Sequence, residues 1–242
     1  MASPTNADST FYESFWTDAA YQQSYAFDSA VRDRFPAIQN VWGELALPNR
    51  VLDFGSGNGV LTYWMRRNGF GTSILGVDVS HTGIANARAA FACEGLRYEH
   101  VDYLANLSNG EVFDVVVSSH VLEHIPAPEK TLARLRELGT WFVLEVPLEL
   151  CLWQSIVFGL RGKERHDNPL GHVNFWTKTS FQRLLEENGF LIVRDYHYAS
   201  APYSPYNPAF KRLIERALLK VIGLAAYSRL MATHYTVLAR RR

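Results

Sequence analysis

The chain of 242 residues is 48% hydrophobic and 20% charged, enough apolar material for one sizeable core. Its 24 Lys and Arg balance 24 Asp and Glu, so no net field draws it to nucleic acid or to an acidic surface. Cys93 and Cys151 are its only cysteines; they offer no disulfide framework and no zinc-type spacing, and a reducing, cytoplasmic setting is expected.

Residues 1–10 are polar and lack the basic start and apolar stretch of a signal peptide, so a disordered N-terminus is expected. No apolar run reaches membrane-spanning length. Phe11, Tyr12, Phe15, Trp16, Tyr21, Tyr25 and Phe27 then crowd a stretch that ends near Leu47. Such density suits a lid over a ligand pocket or a helix pair on the sheet edge.

Next comes Val51-Leu52-Asp53-Phe54-Gly55-Ser56-Gly57-Asn58-Gly59, an apolar strand that passes through an acid into three alternating glycines. Glycine lacks the Cβ that blocks close approach, and the helix that follows turns its unpaired N–H groups and positive dipole end toward the same space. A second apolar run, Thr72-Ser73-Ile74-Leu75-Gly76-Val77-Asp78, ends in an acid 23 positions after Gly55, near the spacing at which a strand end grips ribose hydroxyls. Asp78 is the expected ribose clamp.

These two motifs together resemble the class I S-adenosylmethionine-dependent methyltransferases. A nicotinamide-binding loop reads G-x-G-x-x-G, whereas this one reads G-x-G-x-G behind Asp53. The resemblance implies an indirect hold of Asp53 on the methionine ammonium, and backbone contacts from Gly55, Ser56 and Gly57 to the methionine part. It further places Asp102 against the adenine amino group with Tyr103 beside it, and adds Val79 and Ser119 to the cofactor contacts. A carboxylate is a sound acceptor for an exocyclic amine.

Beyond Asp78 the chain alternates β-rich runs with helical patterns. Ser80 caps a helix burying Ile84, Ala87 and Phe91; strands are expected at 96–101 and 113–118. A helix over 126–138 turns Leu132, Leu135 and Leu138 inward, and a strand follows at 141–146. A helix from Thr177 buries Phe181, Leu184 and Leu185 and stops at Asn188-Gly189, before strands at 190–196 and 234–239. The expected fold is α/β: a Rossmann-like, seven-stranded, mostly parallel sheet with helices on both faces and, by the resemblance, an antiparallel last strand. One domain is expected over 11–242, divided into a helical cap (11–47), a cofactor half (48–146), an insertion (147–176) and a C-terminal half (177–242) with a helical insertion at 200–232.

The fourth strand runs into Ser118-Ser119-His120-Val121-Leu122-Glu123-His124-Ile125-Pro126. Ligands bind at the carboxyl ends of strands in open α/β sheets, so this segment lines the place where cofactor meets acceptor. Small-molecule methyltransferases carry a similar Leu-Glu-His-x-Pro run. Methyl transfer from a sulfonium mainly requires alignment, but a hydroxyl or amine acceptor also needs a base with a near-neutral pKa. His120 and His124 are the candidates, with His172 from Gly171-His172-Val173-Asn174-Phe175-Trp176-Thr177; the alternative for His172 is a bracket on the next helix start.

On a helix, His120, Glu123 and His124 would share a face. This loosely resembles the metal-dependent RNA 2′-O-methyltransferases, but His120 stands where they carry glutamate, and no metal is assigned. The charges from Arg161 to Arg165 suit an anionic substrate or a solvated loop. In 200–232, Phe210, Leu213, Ile214, Ala217, Leu218 and Val221 form an apolar helix face opposite Lys211, Arg212, Glu215, Arg216 and Lys220. The simpler expectation is a cap helix packed on its own domain with the charged side in solvent; the alternative is contact of 208–222 with a membrane surface or partner.

The reading is a methyltransferase that uses S-adenosylmethionine on a small-molecule acceptor, with O-methylation ahead of N- or C-methylation. Its rivals are an NAD(P)-binding oxidoreductase and a non-catalytic S-adenosylmethionine-binding protein.

Overall fold

A seven-stranded sheet forms the centre of the computed structural model, in the order β3-β2-β1-β4-β5-β7-β6. Residues 12–13, 15–17, 27–102, 105, 112–160 and 170–242 are described. The expected disordered start at 1–10, Phe11, Tyr21, Tyr25, Tyr103 and the 161–165 charge run lie outside them. The strands are β1 (Arg50–Phe54), β2 (Ser73–Asp78), β3 (Leu96–His100), β4 (Phe113–Ser119), β5 (Gly139–Leu148), β6 (Phe190–Tyr198) and β7 (Thr233–Arg241). Neighbours among β1 to β5 pair in parallel, and β7 inserts antiparallel between β5 and β6, as expected.

Both faces of this sheet are covered, which explains the near-continuous apolar strands. Successive side chains alternate sides, so Val51, Val115, Val117 and Val143 pack on one face and Leu52, Val116, Phe142 and Leu144 on the other. The first face receives Phe35, Ile38 and Val41 of α1 (Phe35–Trp42) with Val60, Leu61 and Met65 of α2 (Val60–Arg67). The second receives Leu132, Leu135 and Leu138 of α4 (Pro128–Leu138) and Phe181 and Leu185 of α6 (Lys178–Glu187). Between them in sequence lie α3 (His81–Ala90), capped by Ser80, and α5 (Leu152–Leu160); α7 (Ala209–Leu230) comes last among the helices.

Chain order reverses between β1 and β4, which opens a crevice at the carboxyl ends of the strands. Because β7 is antiparallel, its first residues, Thr233 and His234, lie at the same end of the sheet as the last residues of β5. The crevice therefore draws on both the ends of parallel strands and the start of β7.

Candidate active site

A cavity of about 550 Å³ occupies the crevice. One end is bounded by Gly55, Gly57 and Asp78, and the other by His120, Glu149, His172 and His234. The glycine loop fits closely on both sides. A Cβ on Gly55 would overlap Val121, and one on Gly57 would overlap the Trp16 indole, while both residues hold left-handed φ angles.

The loop's N–H groups are engaged within the protein rather than open to a ligand. Gly55 and Ser56 both donate to the Val77 carbonyl, at 2.8 and 3.0 Å. Gly57 donates to the Asp78 carboxylate at 2.8 Å, and Ser80 N–H reaches its other oxygen at 2.9 Å. Asp78 is thus a buried brace of the loop as well as a wall of the cavity. Burial raises its pKa against these bonds.

Asp53 sits behind the loop, where it accepts a 2.6 Å bond from Thr62. Burial pushes its carboxyl up to about 6, opposed by Thr62 and the Arg34 charge. Val79 lines the cavity and Ser119 does too, although the Ser119 hydroxyl is committed to Glu145 at 2.5 Å. Asp102 is not among the residues that line this cavity: it is 86% exposed, with its carboxylate 3.1 Å from His100 Nδ1, and it lines a neighbouring cleft.

Described residues of the aromatic N-terminal stretch border the cavity. Tyr12 and Trp16 line it, and the Tyr12 ring meets His124 edge-on at 5.7 Å. Glu13 fastens the segment to the α3 N-terminus by accepting from His81 N–H at 2.7 Å, Thr82 N–H at 2.9 Å and Ser80 Oγ at 3.1 Å. A carboxylate is favoured at that helix end, and the Thr82, His81 and Ser80 bonds hold its pKa down to about 2.

At the other end, Ser119 closes β4 and His120 follows in a left-handed conformation, φ 58°. Only Leu122–His124 is helical, as a single 3-10 turn, so the helix assumed for His120, Glu123 and His124 is absent. The tight turn still brings His120 Nδ1 within 3.2 Å of the fully buried Glu123 carboxylate. The 171–174 strip clamps the turn: Val173 and Asn174 N–H groups donate to the Glu123 carbonyl, and the Asn174 amide donates to the Leu122 and Ile125 carbonyls.

His172 leaves the next helix start to Thr177, which caps α6, and instead places Nδ1 2.6 Å from Glu149. Its ring meets that of His124 at 4.8 Å. Sequence reasoning missed Glu149, Glu145, Tyr198, His234 and Arg34. Glu145 is registered against Ser119 on β4 and Thr236 on β7, and accepts from Ser119, Thr236 and Tyr198 hydroxyls. Arg34 arrives from a π-helical turn, Ala30–Arg34, an irregularity common at functional sites. The signal for His234 was present: it opens a strand expected to run antiparallel.

Electrostatics separate the imidazoles. Burial opposes charge on His120, but the hydrogen bond and charge of Glu123, with Glu145 behind, raise its pKa. Burial lowers His124, aided by His172 and opposed by Glu123. Burial, then the His120 and Arg34 charges, drive His234 well below the usual value. Donor atoms of Glu123, His124 and His172 all lie within 4.8 Å of one another, close enough to surround one cation.

A Rossmann-like sheet with a glycine loop, an acid closing β2 and a cavity at the switch point define the class I methyltransferase architecture. A family model described as a methyltransferase domain matches residues 23–194, and the chain belongs to that family of S-adenosylmethionine-dependent methyltransferases. It is similar to the ubiquinone biosynthesis O-methyltransferase of Roseobacter denitrificans, 36% identical over 91 residues, 37% of this chain and 36% of that protein. The enzyme of the same name from Aeromonas salmonicida is 26% identical over 175 residues, 67% of this chain and 70% of that one. The first of these matches spans little more than a third of the relative's length. Among solved structures, magnesium protoporphyrin IX methyltransferase from Synechocystis, with bound S-adenosylhomocysteine, shares the fold at TM-score 0.61 and 17% identity, over 97% of this chain and 100% of that one. A putative methyltransferase from Haloferax volcanii in complex with the activator Trm112 gives 0.65 at 14% identity, over 95% and 97%.

Proposed function

We propose that this enzyme transfers the methyl group of S-adenosylmethionine to a hydroxyl of a small-molecule acceptor. The observation that carries this reading is the continuity of one cavity from Gly55 and Asp78 to the imidazoles at its far end. Cofactor and acceptor would share it, with the methyl group between them. Asp78 holds the ribose, Arg34 receives the methionine carboxylate, and Val79, Val101 and Ile125 flank the adenine. Gly55, Ser56 and Gly57 contribute closeness of approach and carbonyl oxygens, since their N–H groups are committed elsewhere.

His124 is the general base. Its Nδ1 lies 3.3 Å from the Gly171 carbonyl, which only accepts, so Nδ1 carries the proton and Nε2 keeps its lone pair. Nε2 is 4.0 Å from Glu123, beyond hydrogen-bond range. With its pKa below the usual histidine value, the base form prevails at neutral pH. Glu149 fixes His172 beside it, and His120 with Glu123 supplies the surrounding charge. The resemblance to named O-methyltransferases supports oxygen as the acceptor atom. A content of only two cysteines, Cys93 and Cys151, too few for a disulfide framework, supports a cytoplasmic setting.

The experiment is methyl transfer from radiolabelled S-adenosylmethionine to pools of phenols, carboxylates and amines. Label entering phenolic or other hydroxylated acceptors supports the reading, and label confined to amines overturns the oxygen assignment.

A further inference from the structure

The helix α7 faces the opposite way from a normal surface helix. Phe210, Leu213, Ile214 and Val221 recur at helical spacing on one side and stand between 62% and 82% exposed. Glu215, from the other side, is buried at 4%, with Lys211 Nζ 3.8 Å from its carboxylate. Arg216 also turns toward the domain, donating to the Pro202 carbonyl at 2.9 Å and lying over the Tyr203 ring. An acid is buried while the apolar stripe meets water, and Lys211, Arg216 and Lys220 stay exposed beside it.

This stripe has a neighbour. Helix α5, which touches α7, has no buried residue and exposes Leu152, Trp153, Ile156 and Leu160. The charge of the combined surface is predominantly positive. The chain nets zero, but 200–232 holds Lys211, Arg212, Arg216, Lys220 and Arg229 against the single Glu215, a net of +4, and 150–160 holds no charge. Lys211 and Lys220 fall on the two sides of the apolar stripe, where long cationic stems reach outward past an apolar contact.

We propose that α5 and α7 seat this enzyme on an anionic lipid bilayer, with the apolar side chains entering the interface and the lysines meeting headgroup phosphates. An apolar stripe, flanking cations and an exposed tryptophan are the pattern of a helix that lies in the interface plane. No helix among the described residues is long and apolar enough to cross a membrane, so this is contact from one side. A second copy of the chain is a poorer occupant, because a two-fold pairing would bring the same cationic flanks together. The proposal stands apart from the identity of the acceptor.

The test is co-flotation of the full chain with vesicles of phosphatidylcholine containing phosphatidylglycerol, and with phosphatidylcholine alone. Binding to the anionic vesicles is expected, weakened by salt and reduced about tenfold or more in the double variant Leu213→Gln, Val221→Gln and in Lys220→Glu. These positions are exposed, so melting temperature and S-adenosylhomocysteine binding should not change, which separates lost contact from lost folding. Absence of wild-type binding to anionic vesicles, or equal binding by the variants, overturns the proposal. So does a concentration-dependent dimer in ultracentrifugation that the apolar variant abolishes without any vesicle binding, since the face would then join two copies.

Discussion

His120 Nε2 stands 3.2 Å from His234 Nδ1, across the gap between the end of β4 and the start of β7. Two imidazolium ions cannot sit at that distance in a buried wall, and Glu123 decides which one is charged. Glu123, 3.2 Å from His120 Nδ1, favours the charged form of His120, while burial and the neighbouring His120 disfavour charge on His234. The left-handed backbone at His120 aims its ring at both partners.

Replacing His120 by Gly and by Ala should therefore separate backbone strain from side-chain chemistry. Both lose the imidazole, but glycine accepts a positive φ, so His120→Gly should be more stable than His120→Ala by about 1 kcal/mol in urea denaturation. Equal stabilities would remove the strained backbone from the account.

Glu123 and His120 set a pH window for stability. The His120 pKa is raised above its unfolded 6.5, so its stabilisation is complete below 6.5 and is lost as pH rises through the folded value. Glu123, buried but held down by its imidazole partners, contributes above its unfolded 4.5 and loses that contribution as pH falls through the folded value. Because the lowered His124 and His234 act in the opposite sense, the pair is read from a difference: the stability lost on Glu123→Gln in urea denaturation should be greater at about pH 5.5 than at about pH 8.5. A parallel pH dependence in the variant would contradict the pairing.

Asp78→Ala should weaken S-adenosylhomocysteine binding and also destabilise the fold. Its two backbone bonds brace the glycine loop, and their loss leaves buried N–H groups unpaired at about 1–3 kcal/mol. Calorimetry and thermal melting measure the two effects; a loss of affinity with an unchanged melting temperature would return Asp78 to a clamp alone.

Trp16→Ala removes the indole that lies over Gly57, and Glu13→Ala frees the segment from the α3 N-terminus. Both should raise the dissociation rate of S-adenosylhomocysteine, on the order of tenfold, in stopped-flow displacement. Unchanged rates would make the aromatic segment a packing element only.

The cofactor half was legible because its motifs are local: Gly55, Gly57 and Asp78 are fixed by strand ends and turns that the sequence spells out. The acceptor end depends on register. Glu145 meets Ser119 and Thr236 only once β5 lies between β4 and β7, and His234 reaches His120 only because β7 is antiparallel. Helix α7 shows a different limit, for periodicity found its two faces correctly, yet no local signal said that Glu215 would turn inward and Leu213 outward. Asp102 follows the strand-end rule, and its carboxylate lies beside His100 rather than in the lining of the main cavity.

The assignment of His124 as base is tested most directly by methyl transfer and cofactor binding measured together in His124→Ala. The account predicts that wild-type enzyme labels a hydroxylated small molecule, with kcat falling below pH 6.5, and that the variant loses about 10²–10⁴-fold in kcat while binding S-adenosylhomocysteine as before. Full cofactor affinity with no acceptor labelled by the wild type would contradict catalysis and leave a binding protein; undiminished turnover in the variant would contradict the base.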